Sequence, residues 1–422
     1  MTDHKLSEGL TLHFIENDKF KSNYFSLQFS APITREEASL SSLLPKVLMR
    51  GCADHPTMTD ISYRLDDLYA ADVYGRVYGR GETQFFGISA SMLKDRFATD
   101  GTAIEDGVLD MIEALLLRPL LVDGAFRAEY VESEKAQLLQ KISAQKNNKR
   151  RYAVKRCEEL MCEGEAYGIP TYGYAEDIKA ITPESLYAFY EKVIREMRCE
   201  LYFVGEGDPA LLSQKLKSRF GTLGNAGAPA YTCEVIRRAE KAREITEKMP
   251  MEQSKLSVGF RTGTVLPDGR WHVFSVFSEI FGASATSKLF ANVREKLSLC
   301  YYCSSIAEAH KGIMIVYSGL SKENKEKALT EIMAQLDAVK AGDITDEELD
   351  MAKKGVINAY RALNDSPSSL EGWYTGRAMA GISTTPEDCI PMVEAVTKED
   401  VQAVASLITA DTVYFLEAEE EE

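Results

Sequence analysis

Along residues 24–29, YFSLQF, apolar and polar side chains alternate, and residues 255–260, KLSVGF, repeat the alternation. A period of two sends successive side chains to opposite faces, so both segments are expected to be half-buried strands. After each comes a turn, then an apolar run at helical spacing that closes on a glycine. Phe29 stands as far from Gly51 as Phe260 does from Gly282. The later segments match as well. AITPESLYAFY (180–190) runs into CELYFVG, and AVTKEDVQAVA (395–405) runs into TVYFLEA. In each copy a threonine, Thr182 or Thr397, precedes an amphipathic helix with an acidic residue in its first turn. The hydroxyl can accept from the free N–H groups there, and the carboxylate complements the helix dipole.

Repetition in the same order across nearly the whole chain reads as a duplication. Strands and helices mix without a regular βαβ alternation, so the expected class is α+β rather than doubly wound. The architecture expected is two tandem duplicated domains, each an antiparallel sheet packed with several helices. The boundaries read as residues 1–221, a linker at 222–238 and residues 239–422. The linker, TLGNAGAPAYTCEVIRR, is rich in Gly and Ala and lacks helical periodicity. Between matched points the first copy is the longer, which an insertion explains. A length of 422 residues suits two domains better than one.

Composition narrows the function. With 45% hydrophobic residues and 9% aromatics the chain can bury two cores. A net charge of −16 argues against nucleic acid as the main partner, because phosphates bind through Lys and Arg. The one basic run, KNNKRR (146–151), reads as a solvated stretch at a helix end, and the tail EAEEEE (417–422) is expected to fray. No apolar run approaches the roughly 20 residues that cross a bilayer. The opening MTDHKLSEGLTLHF has no apolar centre of the secretory kind, and eight scattered cysteines suit reduced thiols. Together these point to a cytoplasmic protein that does not engage membranes.

Most catalytic motifs are missing. There is no phosphate-binding G-x-x-x-x-G-K-[ST], and Gly205-Glu-Gly207 reads as a strand-ending turn. Ser284, Ser287 and Ser298 show no partnering His and Asp. Cys300 and Cys303 read as two buried thiols on a strand, since no second pair stands nearby to complete four metal ligands. His55 and His310 are isolated, and the segment YGIPTYGY (167–174) reads as structural turns. The stretch FGASATSKLFANVREKLSLCYY (281–302) differs: a Gly/Ser turn, a helix carrying Arg294, then Tyr301. A guanidinium and a phenol are both hydrogen-bond donors.

That stretch resembles the second-half signature of the insulinase/pitrilysin-like zinc peptidases. LLPKVL (43–48) and LDDLYAAD (65–72) further resemble a Gram-positive bacterial branch that lacks the zinc motif. Active members carry H-x-x-E-H on the first helix, with a second Glu downstream. Aligned on Gly51, the two His positions fall on Ser42 and Lys46, the catalytic Glu on Pro45 and the distal Glu on Lys141. An ammonium has no lone pair for a metal, and Pro45 is expected to distort a helix running through it. The resemblance therefore implies no metal in this chain, with zinc expected on a partner subunit. That partner would be an insulinase-like sister chain carrying H-x-x-E-H. The role implied is that of a non-catalytic, substrate-orienting subunit of a heterodimeric zinc metallopeptidase, as in the mitochondrial processing peptidase. Arg294 and Tyr301 would hold a peptide or unfolded protein substrate, with Tyr302 as the alternative phenol. The alternative is a catalytically inert peptide-binding or scaffold protein derived from the same fold. One departure bears on the site: the family's usual Arg-Gly after the REK triplet is Leu297-Ser298 here.

Overall fold

Two sheets repeat one strand order. The computed structural model describes residues 1–228 and 231–419; two linker positions (229–230) and the end of the acidic tail (420–422) lie outside the described residues. The first sheet is built from β1 (Thr2–Ser7), β2 (Leu10–Glu16), β3 (Ser22–Pro32), β4 (Asp72–Arg80), β5 (Thr83–Leu93) and, after a short β6 (Leu121–Val122) and β7 (Ala125–Phe126) hairpin, β8 (Arg198–Gly205). Its order is β1-β2-β8-β3-β5-β4. The second contains β9 (Arg243–Pro250), β10 (Ser254–Arg261), β11 (Tyr302–Glu308), β12 (Ile313–Leu320) and β13 (Thr409–Glu419), ordered β11-β12-β10-β13-β9. Setting β2, β8, β3, β5 and β4 beside β9, β13, β10, β12 and β11 gives the same order. Each sheet is antiparallel except for one parallel pair, β2–β8 and β9–β13. The two alternating segments become the central strands β3 and β10. Glu417, Ala418 and Glu419, expected to fray, instead end β13 in register with β9.

The first unit buries Phe25, Leu27 and Phe29 of β3 against the Arg35–Leu48 and Ile104–Leu117 helices. Each such side chain contributes about 1.5–3 kcal/mol when fully removed from water. The other face of β3 is buried too, contrary to the half-buried expectation, because Tyr24, Ser26 and Gln28 are also covered. The Arg35–Leu48 helix continues through Pro45, and the Met49 N–H bonds to the Pro45 carbonyl at 3.2 Å. The expected caps form: Thr182 accepts from the Ser185 N–H at 3.1 Å and Thr397 from the Asp400 N–H at 3.2 Å. Each cap is worth about 1 kcal/mol.

The compact units do not follow the tandem boundaries. One consists of Met1–Ile142, Ile169–Thr232 and Ser366–Thr375; the other takes Ser143–Gly168, Cys233–Asp365 and the chain from Gly376 onward. The reason is that each sheet needs its second face covered. In the second unit the Lys149–Met161 helix does this, burying Ala153, Cys157 and Met161 against Ile313, Ile315, Tyr414 and Leu416. A Cβ on Gly259 of β10 would stand 2.6 Å from the Met161 sulfur, so the helix and sheet approach this closely only over glycine. At the end of that helix Arg261 is buried among Asp411 (2.8 Å) and Glu165 (2.6 Å), and Glu165 also pairs with buried Lys311 at 2.6 Å.

Candidate functional site

Arg294 lies on Leu289–Lys296, which winds as a wide π-helix: the Leu297 N–H reaches back to the Asn292 carbonyl at 3.1 Å. Such turns are rare and recur at functional sites. The guanidinium stands 4.5 Å from the centre of the Phe290 ring and 3.6 Å from the Glu295 carboxylate, with its side chain 40% exposed. The turn after it is held at Ser298 with φ +50°, in the left-handed region where glycine is favoured. This is the position where the resembled family usually carries glycine. The chain then enters β11. Tyr301 donates its N–H to the Gly319 carbonyl at 2.9 Å, while its side chain is 76% exposed.

Tyr302, the alternative phenol, is placed differently. It pairs with Gly319 across β11–β12, and its ring sits 6.1 Å from Tyr317 and 4.6 Å from the Arg150 guanidinium. Burial pushes its phenol up to about 12, against the opposing pull of Arg150. Cys300 and Cys303 are both buried and free. The Cys303 thiol is held well above the ordinary value by its hydrogen bond to Cys300, and the same bond lowers Cys300.

The four positions aligned to the zinc motif sit in the first unit. Ser42 is fully buried, and its hydroxyl donates to the Thr171 carbonyl at 2.7 Å. Buried Gln84 of β5 donates to the same carbonyl at 2.8 Å and to the Ala38 carbonyl at 3.2 Å. Pro45 is buried against β4, its carbonyl 2.8 Å from where a Cβ on Gly75 would stand. Lys46 is half-buried beside it. Lys141 is exposed, with its ammonium 4.4 Å from the centre of the Tyr172 ring. Adjacent residues of one segment, Thr171 and Tyr172, therefore meet Ser42 and Lys141.

These residues do not fit zinc. A hydroxyl committed as a donor, a carbonyl that already accepts twice and an ammonium leave no set of free lone pairs. Among the described residues no group of three or more His, Cys, Asp or Glu side chains is placed to hold a metal ion. No helix among them is long and apolar enough to cross a membrane. Sequence reasoning missed Gln84 and Thr171, whose roles depend on pairing between distant segments. As read from the sequence, the basic run lies exposed at a helix end, apart from half-buried Lys149, which opens the helix; the contact of Arg150 with Tyr302 and Tyr317 has no local signal.

The Peptidase M16 inactive domain family matches residues 180–356. Over 412 residues the chain is 31% identical to the probable inactive metalloprotease YmfF of Bacillus subtilis, covering 98% of this chain and 96% of that protein. It is 25% identical over 293 residues to the uncharacterized zinc protease YmfH of the same organism, covering 67% of each. A conserved protein from Enterococcus faecalis superposes with a TM-score of 0.92 at 28% identity, over 100% of this chain and 99% of that one. With the duplicated sheets and the Arg294–Tyr301 segment, these similarities establish that the chain belongs to the insulinase-like M16 peptidase family.

Proposed function

We propose that this chain is a non-catalytic, substrate-orienting subunit of a heterodimeric zinc metallopeptidase acting on peptides. One observation carries the reading. Tyr301 is 76% exposed just after the turn that holds Arg294, while the positions aligned to the zinc motif are Ser42, Pro45, Lys46 and Lys141. Donors are kept where the metal chemistry is gone. A guanidinium and a phenol can bond the carbonyl oxygens of an extended peptide and oppose the negative charge that develops on one of them during cleavage. The metal and general base would come from a sister chain carrying H-x-x-E-H; the uncharacterized zinc protease YmfH shows that zinc proteases occur among the relatives of this chain. Free cysteines support a reducing compartment, the cytoplasm, as its place.

The test mixes the purified chain with such a sister chain and follows cleavage of a denatured protein. Activity is expected only in the mixture, falling about tenfold or more with Arg294→Ala and less with Tyr301→Phe. Equal cleavage by the sister chain alone would make this chain an inert binding or scaffold protein instead.

A further inference from the structure

Beside Tyr302 lies an open groove of about 640 Å³, lined by Asn147, Asn148, Lys149, Arg150, Met251, Glu252, Gln253 and Lys255. Three of these side chains are cations and one is a carboxylate. In a chain with 65 acidic and 49 basic residues, that local balance runs against the whole. The cations are also uncommitted. Lys149 Nζ lies 3.2 Å from the Met249 sulfur, Lys255 Nζ donates to Gln253 Oε1 at 2.9 Å, and Arg150 donates to the Tyr317 hydroxyl at 2.9 Å. None of the three forms an ion pair among the described residues, although most cations of this protein do. Burial holds the Lys255 ammonium below its ordinary value, the state of a cation that lacks a counter-charge.

The groove is also shaped to orient one group. The Arg150 guanidinium carbon stands 4.6 Å from the centre of the Tyr302 ring and 4.7 Å from that of Tyr317, so two aromatic rings restrict where it can move. One of its terminal nitrogens is held by Tyr317, and the remaining N–H groups are left as a fork. A planar fork of this kind matches a carboxylate bidentately. Tyr302 follows Tyr301 directly at the β11 edge of the sheet, so an extended peptide that crosses this edge from Tyr301 comes within reach of the groove.

We propose that the groove receives a carboxylate of an extended peptide, from an Asp or Glu side chain or from the C-terminus, with Arg150 as its principal partner and Lys149 and Lys255 flanking. The inference rests on the peptide-binding part of the proposed function and adds a preference for acidic segments. That preference runs opposite to what the net charge of −16 suggests for the molecule as a whole.

The test is fluorescence anisotropy with the full chain and four labelled probes: a short Gly-Ser peptide carrying several Glu residues, its Gln counterpart, and each with a free or amidated C-terminus. The Glu peptide, or the free-terminus peptide, is expected to bind about tenfold more tightly than its neutral counterpart. Whichever neutralisation removes the gain identifies the source of the carboxylate. Arg150→Ala and, away from the tyrosine pair, Lys149→Gln should each shrink the difference in affinity between the charged and the neutral peptide. Unchanged melting of both variants shows that the fold is intact. Equal binding of all four probes, weakened alike by Arg294→Ala, overturns the acidic preference and leaves peptide binding standing. No binding of any probe overturns both.

Discussion

The same place on the two sheets is closed in one unit and open in the other. In the first, Tyr24 of β3 pairs with Ser91 of β5, which pairs with Asp72 of β4. In the second, Lys255 of β10 pairs with Gly319 of β12, which pairs with Tyr302 of β11. Around Tyr24 a fully buried Glu371 accepts from the phenol at 3.0 Å and from Gln28 at 3.3 Å, and ion-pairs with Arg76. The phenol, the amide, the guanidinium and the carboxylate there all have partners inside the protein. Around Lys255 the helix that covers the sheet begins only at Lys149, leaving Arg150 and Lys255 at the rim of a groove. Duplication supplies the scaffold twice, and the contents of one corner decide whether it becomes core or a binding surface.

The largest test of that contrast removes the cover from the closed corner. A fragment of residues 1–232 keeps every strand of the first sheet but loses Ser366–Thr375, and with it Glu371. It is expected to lack a cooperative unfolding transition by circular dichroism, while the full chain keeps one. A milder break is Glu371→Ala, which leaves Arg76 and Tyr24 without their carboxylate. Unpairing a buried ion pair is expected to cost about 3 kcal/mol in urea unfolding.

A third test contrasts the units by pH. Burial would raise the Glu165 carboxyl, but hydrogen bonds from Arg261 and Lys311 together with their charges outweigh it and hold the group below 4.5. A depressed folded value stabilises the native state above the unfolded value and loses that contribution as pH falls through the folded one. Stability of the full chain should therefore fall as acid is added below about pH 4.5, and Glu165→Gln should flatten that part of the curve. The smallest effect concerns the turn after Arg294. Ser298→Gly relieves a left-handed residue and is expected to raise stability by about 1 kcal/mol, read as a shift in the urea midpoint.

Much of the fold is legible in the sequence because alternation, caps and glycine-ended helices are local signals. YFSLQF and KLSVGF announce β3 and β10 by themselves. The loss of the metal motif is legible too, since Ser42, Pro45, Lys46 and Lys141 differ from metal ligands in chemistry and not merely in geometry. What escapes is pairing at a distance. Nothing near Glu371 signals that it will meet Tyr24 and Arg76, and nothing in KNNKRR, which is exposed as it reads, signals that Arg150 will lie beside Tyr302 and Tyr317. Near the C-terminal end of a helix the N–H that Pro45 lacks costs one bond, and the helix continues past it with Pro45 packed against β4. The π-helical winding at Arg294 likewise has no sequence signature beyond the residues that flank it.

The exchange of segments between the two halves of the chain also sets a timetable. As the chain leaves the ribosome, all strands of the first sheet have emerged by Gly205, yet Ser366–Thr375 appears only near the end of translation. The Lys149–Met161 helix, conversely, is made early and waits for β10, β12 and β13. Neither unit can finish while synthesis continues, so unburied Tyr24, Gln28 and Arg76 on one side and Cys157 and Met161 on the other stay accessible until late. Completion of both units is thus set by where these two segments stand in the chain rather than by the order in which its strands are made.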